Sequence, residues 1–183
     1  MGLYSFYRIS KPSGDIVPEE KIDGTYRSLR NRTFWGVTVA YSLYYVCRMS
    51  LSVVKQPLID EGVLTAGQLG LIGSALLLVY AVGKFMNGFI ADYCNIRRFM
   101  ATGLFVSALV NLIMGVLGFM QGTAGLSTVL IFISFAILWG INGWMQSMGS
   151  PPGVISLSRW FPHSKRGTYY SIFSSTPYVG EFL

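Results

Sequence analysis

Charge is scarce in this chain of 183 residues: 12% of them are charged, and only eight are acidic. Ordinary soluble domains carry about a quarter charged residues, so that class is excluded at the outset. Histidine occurs once, as His163 in a basic connecting segment. The apolar runs hold no cluster of metal ligands and no nucleophile paired with a base, so neither a metal nor a cofactor is expected and enzymatic chemistry lacks its parts. Cysteine occurs twice, as Cys47 inside the first apolar run and Cys94 in a turn. The two are placed too differently to bridge, which removes a disulfide framework. No secretory signal is visible, because the first apolar run follows about thirty polar residues and is itself followed by further long runs. Phe6 occupies the position where N-myristoylation needs Ser or Thr.

Apolar sequence is what the chain has in abundance. It is 52% hydrophobic with a mean hydropathy of +0.49. Long apolar runs cover about 33–54, 68–91, 99–119 and 126–160, and a fifth begins near 168 and runs to 183. The first four each reach the ~20 residues that a bilayer requires. Lipid offers the backbone no hydrogen-bond partner, so such runs are expected to be helices. The reading is an all-α membrane protein with a cytoplasmic segment over 1–32 and a partial bundle over 33–183.

The net charge of +6 sorts by connection. Arg8, Lys11, Lys21, Arg27, Arg30 and Arg32 precede the first run, Arg97 and Arg98 follow the second, and Arg159, Lys165 and Arg166 follow the fourth. The opposite side holds only Lys55. The positive-inside rule then makes the N-terminus cytoplasmic, and the basic balance reports topology, not a nucleic-acid partner.

Local signals punctuate the runs. Residues 22–27 form a candidate surface helix, and 55–62 a short external connection before Thr65, a candidate N-cap. Residues 121–125 make a tighter connection still, which implies antiparallel neighbours. Gly70, Gly73, Gly83, Gly88, Gly115, Gly118, Gly140 and Gly143 are candidate close-approach points between helices in lipid. Pro151 and Pro152 are expected to kink a long fourth helix.

Against this apolar background two cations stand out, Arg48 in the first run and Lys84 in the second. A charge inside a bilayer costs roughly 2.5 to 3.5 kcal/mol on insertion scales and is usually kept for function. The only plausible acid in the runs is Glu181. Tyr41, Tyr45 and Arg48 are spaced i, i+4, i+7 and share one stripe; Tyr80 and Lys84 are spaced i, i+4 on theirs. At a rise of about 1.5 Å per residue, Arg48 lies roughly 22 Å and Lys84 roughly 12 Å from the cytoplasmic side. Long side chains bridge a gap of about 10 Å. Arg offers a planar fork suited to phosphate and Lys a point charge, so the pair points to a buried anion, with Gln146 a further candidate for the cavity wall.

Gly88, Asp92 and Arg97 between the second and third runs resemble the cytoplasmic signature of the major facilitator superfamily, although Tyr93 and Asn95 replace its basic and glycine positions. Within that superfamily the chain is similar to the organophosphate:phosphate antiporter family. The resemblance is carried by Ile22 to Arg27, Tyr41 to Arg48, Tyr80 to Phe85, Gly143 to Pro152 and Lys165 to Thr168. It implies a major-facilitator-type helical bundle cut within its fifth helix, in which Arg48 binds substrate phosphate, Lys84 assists, and Tyr41, Tyr45 and Tyr80 line the cavity. Gly88, Asp92 and Arg97 would form a conformational motif. Pro177 stands where the family often has His, and Ser150 where it often has Trp.

The resemblance also implies the function. An organophosphate, either a sugar phosphate or glycerol phosphate, would exchange for inorganic phosphate by alternating access across the inner membrane. A C-terminal half outside this sequence would complete the site. The competing reading is a sugar-phosphate sensor that signals to a membrane partner.

Overall fold

The computed structural model describes residues 6–9, 14 and 16–182, and among them the architecture is helical. The helices are α1 (Glu19–Asp60), α2 (Ala66–Tyr93), α3 (Ile96–Ala124), α4 (Thr128–Gln146), α5 (Ser150–Trp160), α6 (His163–Ser174) and α7 (Thr176–Phe182). Four stretches are long and apolar enough to cross a membrane: α1, α2, α3, and α4 with α5 counted together. Their outer faces are apolar, with Leu78, Phe85, Phe89, Phe105 and Phe119 all exposed, as lipid-facing helices require.

The first helix is longer than its apolar run. It has 42 residues and therefore extends about 63 Å, twice the ~30 Å hydrocarbon thickness. The expected short helix over 22–27 is part of it. The extension is held by the end of α5: Tyr26 stacks on Trp160 at 5.7 Å and its hydroxyl donates to the Trp160 carbonyl at 2.7 Å. Arg30 lies over the Phe161 ring at 5.2 Å. At its far end α1 contains Pro57 in its last turn and ends three residues later at Asp60. The connection thus begins at Glu61, later than the expected 55. Gly62 takes a positive φ of 68°, a conformation that glycine adopts without a Cβ penalty.

The caps follow from local chemistry. Thr65 starts α2 in a reciprocal capping box, its hydroxyl accepting from Gln68 N at 3.2 Å while Gln68 Oε1 accepts from Thr65 N at 2.9 Å. Asn95 Oδ1 accepts from Arg98 N and starts α3. Gly125, at φ 63°, ends α3 in the left-handed conformation. Ser127 caps α4 through Leu130 N.

The fourth run is a broken helix. Pro151 and Pro152 cannot donate to the carbonyls one turn earlier, and their rings clash with that turn. The chain therefore leaves helical geometry over 147–149 and restarts with the two prolines in the first turn of α5, where a missing N–H costs nothing. The fifth run begins at His163, earlier than expected, and breaks at Ser175 just before Pro177. Arg166 fastens the α5–α6 corner by donating to the carbonyls of Phe161 at 2.8 Å and Ser158 at 2.6 Å. An N-terminal strap crosses the α2–α3 turn: Asn95 N donates to the Tyr7 carbonyl at 2.8 Å, and Tyr7 Oη donates to Thr102 at 3.0 Å. Cys94 lies in the same turn, where burial pushes its thiol up and keeps it protonated.

The most extensive packing joins α2 to α4. A Cβ on Gly143 would stand 2.5 Å from the Leu76 carbonyl oxygen, and one on Gly83 2.6 Å from Ser147 Oγ. Across α1 and α3, Tyr44 is 1% exposed and donates to the Met100 carbonyl at 2.8 Å. Gly70, Gly73, Gly88, Gly115 and Gly118, in contrast, face open space. The close-approach expectation therefore fails for these five, because spacing alone does not tell a packed glycine from one on an open face.

Replacing Gly143 by Ala pushes a methyl group into backbone and is expected to destabilise the bundle by about 1–3 kcal/mol. Gly115→Ala meets nothing and is expected to leave stability within about 0.5 kcal/mol. Thermal unfolding of the detergent-solubilised intact protein separates the two, and equal midpoints would contradict this packing.

Candidate functional site

Arg48 and Lys84 arrive on different helices and converge on one ring. The Arg48 guanidinium carbon lies 4.6 Å from the centroid of Tyr80, and Lys84 Nζ lies 5.5 Å from the same centroid. Tyr45 adds a second ring to Arg48 at 5.8 Å. The i, i+4 step brings Tyr80 and Lys84 together, and the step of three residues from Tyr45 to Arg48 does the same on α1. Cation–π contacts of this kind hold a charge where water is excluded.

The tyrosines divide their work. Tyr41 Oη and Tyr45 Oη are 3.3 Å apart, which continues the polar line along α1. The Tyr41 ring, however, is buried and stacks on Phe173 of α6 at 4.8 Å with a 16° interplanar angle, so its bulk serves packing. Tyr45 and Tyr80 are half-buried. Gly180 of α7 closes over this part of α1, where a Cβ would meet the Ser42 carbonyl at 2.5 Å.

The cations themselves differ in setting. Arg48 is half-buried and Lys84 exposed, so the expectation of two buried cations is only partly met. The α2 face that seats on α4 includes Ile72, Leu76, Gly83 and Asn87, and Lys84 stands at the edge of that seam. Among the described residues neither cation has an acidic partner within ion-pair distance; the Glu181 side chain lies outside the described residues. No group of three or more potential metal ligands occurs among the described residues.

Gln146 does not join the cations in any observed contact. It is 4% exposed, and its amide donates to Ser107 Oγ of α3 at 2.8 Å. That hydroxyl donates onward to Asn142 Oδ1 at 2.5 Å. A groove of about 300 Å³ between α1 and α3, lined by Ser50, Leu51, Val54, Glu61, Asn111 and Met114 among others, lies away from the cations.

The α2–α3 turn is tied to α5 by a pairing that local spacing does not show. Asp92 faces Arg159 of α5, with oxygen and nitrogen 3.9 Å apart, and its carbonyl accepts from the same guanidinium at 3.3 Å. Arg97 is exposed, and the partner 67 residues away was not visible in local spacing. Arg98 instead holds the strap, donating to the Phe6 carbonyl at 2.7 Å.

Apolar helices of membrane length, packed through glycine and interhelical hydrogen bonds, define a multi-pass helical membrane protein. The chain belongs to the Major Facilitator Superfamily, whose sequence model matches residues 37–183. It is 33% identical to a probable hexose phosphate transport protein of Chlamydia pneumoniae over 178 residues, covering 97% of this chain and 36% of the relative. It is 35% identical to a glycerol-3-phosphate transporter of Haemophilus influenzae over 175 residues, 94% of this chain and 35% of that protein. A membrane sensor protein, UhpC of Salmonella typhimurium, is 28% identical over 181 residues, 99% of this chain and 38% of the sensor. The chain spans about a third of the length of these relatives.

The Asp92–Arg159 pair is long, and its side chains are 59% and 48% exposed. Asp92→Asn is therefore expected to change stability by less than about 1 kcal/mol. Chemical or thermal unfolding of the solubilised protein checks this, and a larger loss would show that the pair is far better shielded than its geometry implies.

Proposed function

We propose that the protein exchanges an organophosphate, either a sugar phosphate or glycerol phosphate, for inorganic phosphate across the inner membrane. The observation that carries this reading is the shared ring: Arg48 and Lys84, from different helices, flank Tyr80 at 4.6 and 5.5 Å. Two cations with no acid between them among the described residues make a site for an anion of more than one negative charge. Arg48 grips phosphoryl oxygens with its fork, and Lys84 adds a mobile point charge. Tyr45 and Tyr80 donate their hydroxyls, and the Tyr41 hydroxyl orients that of Tyr45. The transporter names of relatives at 33% and 35% identity support the substrate class.

The exchange proceeds by alternating access. This bundle rocks against a C-terminal half that supplies the opposing wall, with the lipid bilayer around both and the N-terminus cytoplasmic. Gly88 and Asp92 at the end of α2 and Arg97 at the start of α3 bracket the turn where the signature motif would govern that movement, with Arg159 as the ion partner of Asp92.

Arg48→Lys keeps charge and loses the fork; Arg48→Ala loses both. Phosphate exchange by the intact protein in proteoliposomes is expected to fall by roughly a hundredfold or more in each. Exchange at the unaltered rate in Arg48→Ala would overturn the site. Binding of sugar phosphate without any counterflow in the unaltered protein would instead make it a sensor that signals to a membrane partner.

A further inference from the structure

The end of α4 is hydrogen-bonded to α2 directly and to α1 by way of α3, through contacts that the phosphate site does not explain. On one side Gln146 Nε2 donates to Ser107 Oγ at 2.8 Å. The Ser107 carbonyl accepts from Asn111 Nδ2 at 2.8 Å. Asn111 Oδ1 in turn accepts from the Ser50 hydroxyl. Ser50 lies two residues from Arg48 on α1, so this chain of contacts ends on the turn that carries the guanidinium.

On the other side the next residue, Ser147, reaches α2. Asn87 Nδ2 donates to Ser147 Oγ at 2.6 Å, and Ser147 Oγ donates to the Trp144 carbonyl at 2.6 Å. Asn87 is one helical turn from Lys84 on the same stripe. Gly83, beside Lys84, approaches so closely that its Cβ would stand 2.6 Å from Ser147 Oγ. Asn87, Ser107, Gln146 and Ser147 are all buried at 4% exposure or less, where each lost partner leaves an unsatisfied polar group.

We propose that Gln146 and Ser147 are positioning residues that set the separation of Arg48 and Lys84, and thereby the size of anion the pair accepts. Adjacent side chains on a helix diverge by about 100°, so Gln146 and Ser147 at the end of α4 face different neighbours, Ser107 of α3 and Asn87 of α2. This inference rests on the phosphate-binding reading of the two cations.

The test measures phosphate exchange by the intact protein with Gln146→Met, Ser147→Ala and Arg48→Ala, each reconstituted at matched protein content. Gln146→Met and Ser147→Ala are expected to raise KM for inorganic phosphate about tenfold while the maximal rate stays near the original. The preference between inorganic phosphate and the organophosphate should shift with it. Ser107→Thr, which keeps the hydroxyl, should retain the original KM, and Ser147→Ala removes only one oxygen should the larger change prevent folding. An unchanged KM in folded Ser147→Ala, or a fall in maximal rate and thermal stability with KM unmoved, overturns the proposal. Arg48→Ala separates the two readings: if it exchanges phosphate normally, the anion site itself is wrong. If it is inactive while the α4 variants keep their KM, only the positioning role fails.

Discussion

A cation on a membrane helix with no acid beside it among the described residues is the constraint on which the rest of this structure turns. Placing it costs roughly 2.5 to 3.5 kcal/mol, and each aromatic face returns about 0.5 to 2 kcal/mol. Arg48 has two such faces, Tyr80 and Tyr45, and Lys84 has one. The rings offset part of the cost without cancelling the charge, which leaves a positive site open to an anion. A carboxylate within reach would have closed it. The small number of acids in the chain, and their absence from contact with either cation among the described residues, is therefore part of the chemistry.

The same apolar setting explains why so few polar groups organise so much of the packing. Hydrophobic burial does not drive helices together in lipid, so close backbone approach and interhelical hydrogen bonds decide which faces meet. Gly143 on Leu76 and Gly83 on Ser147 bring α4 against α2, and Tyr44 ties α1 to α3. Asn142 Nδ2 is buried with no hydrogen-bond partner, although its oxygen takes the Ser107 hydroxyl. Such a donor carries a cost of about 1–3 kcal/mol, which places the least satisfied polar atom of this network next to the break in α4.

Much of this was legible from spacing. Hydropathy located the membrane helices, because twenty apolar residues admit little else in lipid, and Thr65 announced the α2 cap. Periodicity put Tyr80 beside Lys84 and Tyr45 near Arg48. Legibility failed wherever rotation of one helix against another decides the contact. No local pattern says that Arg48 meets the ring carried with Lys84, that Asp92 meets Arg159, or that Gln146 bonds Ser107. Asn87, Asn111 and Asn142 were visible as single amides in apolar runs, a signal that polar groups there need partners, but not which. The prolines showed where α4 would yield, but not that Gly149 would pack against Tyr41 and Tyr44 at the break.

These contacts bear on how a site of this kind moves. In rocking transport the geometry that must change lies between the two halves, whereas the geometry within each half is best kept fixed. Here α1 and α2, which carry the cations, are joined through the end of α4 by hydrogen bonds on one side to α3 and on the other to Asn87. The α2–α4 seam is backed by glycine-to-backbone contact, which has no side-chain slack. On the proposed reading, Arg48 and Lys84 then travel together as one rigid jaw. Affinity for the phosphoryl group is set inside this bundle, and access is set by whatever faces it.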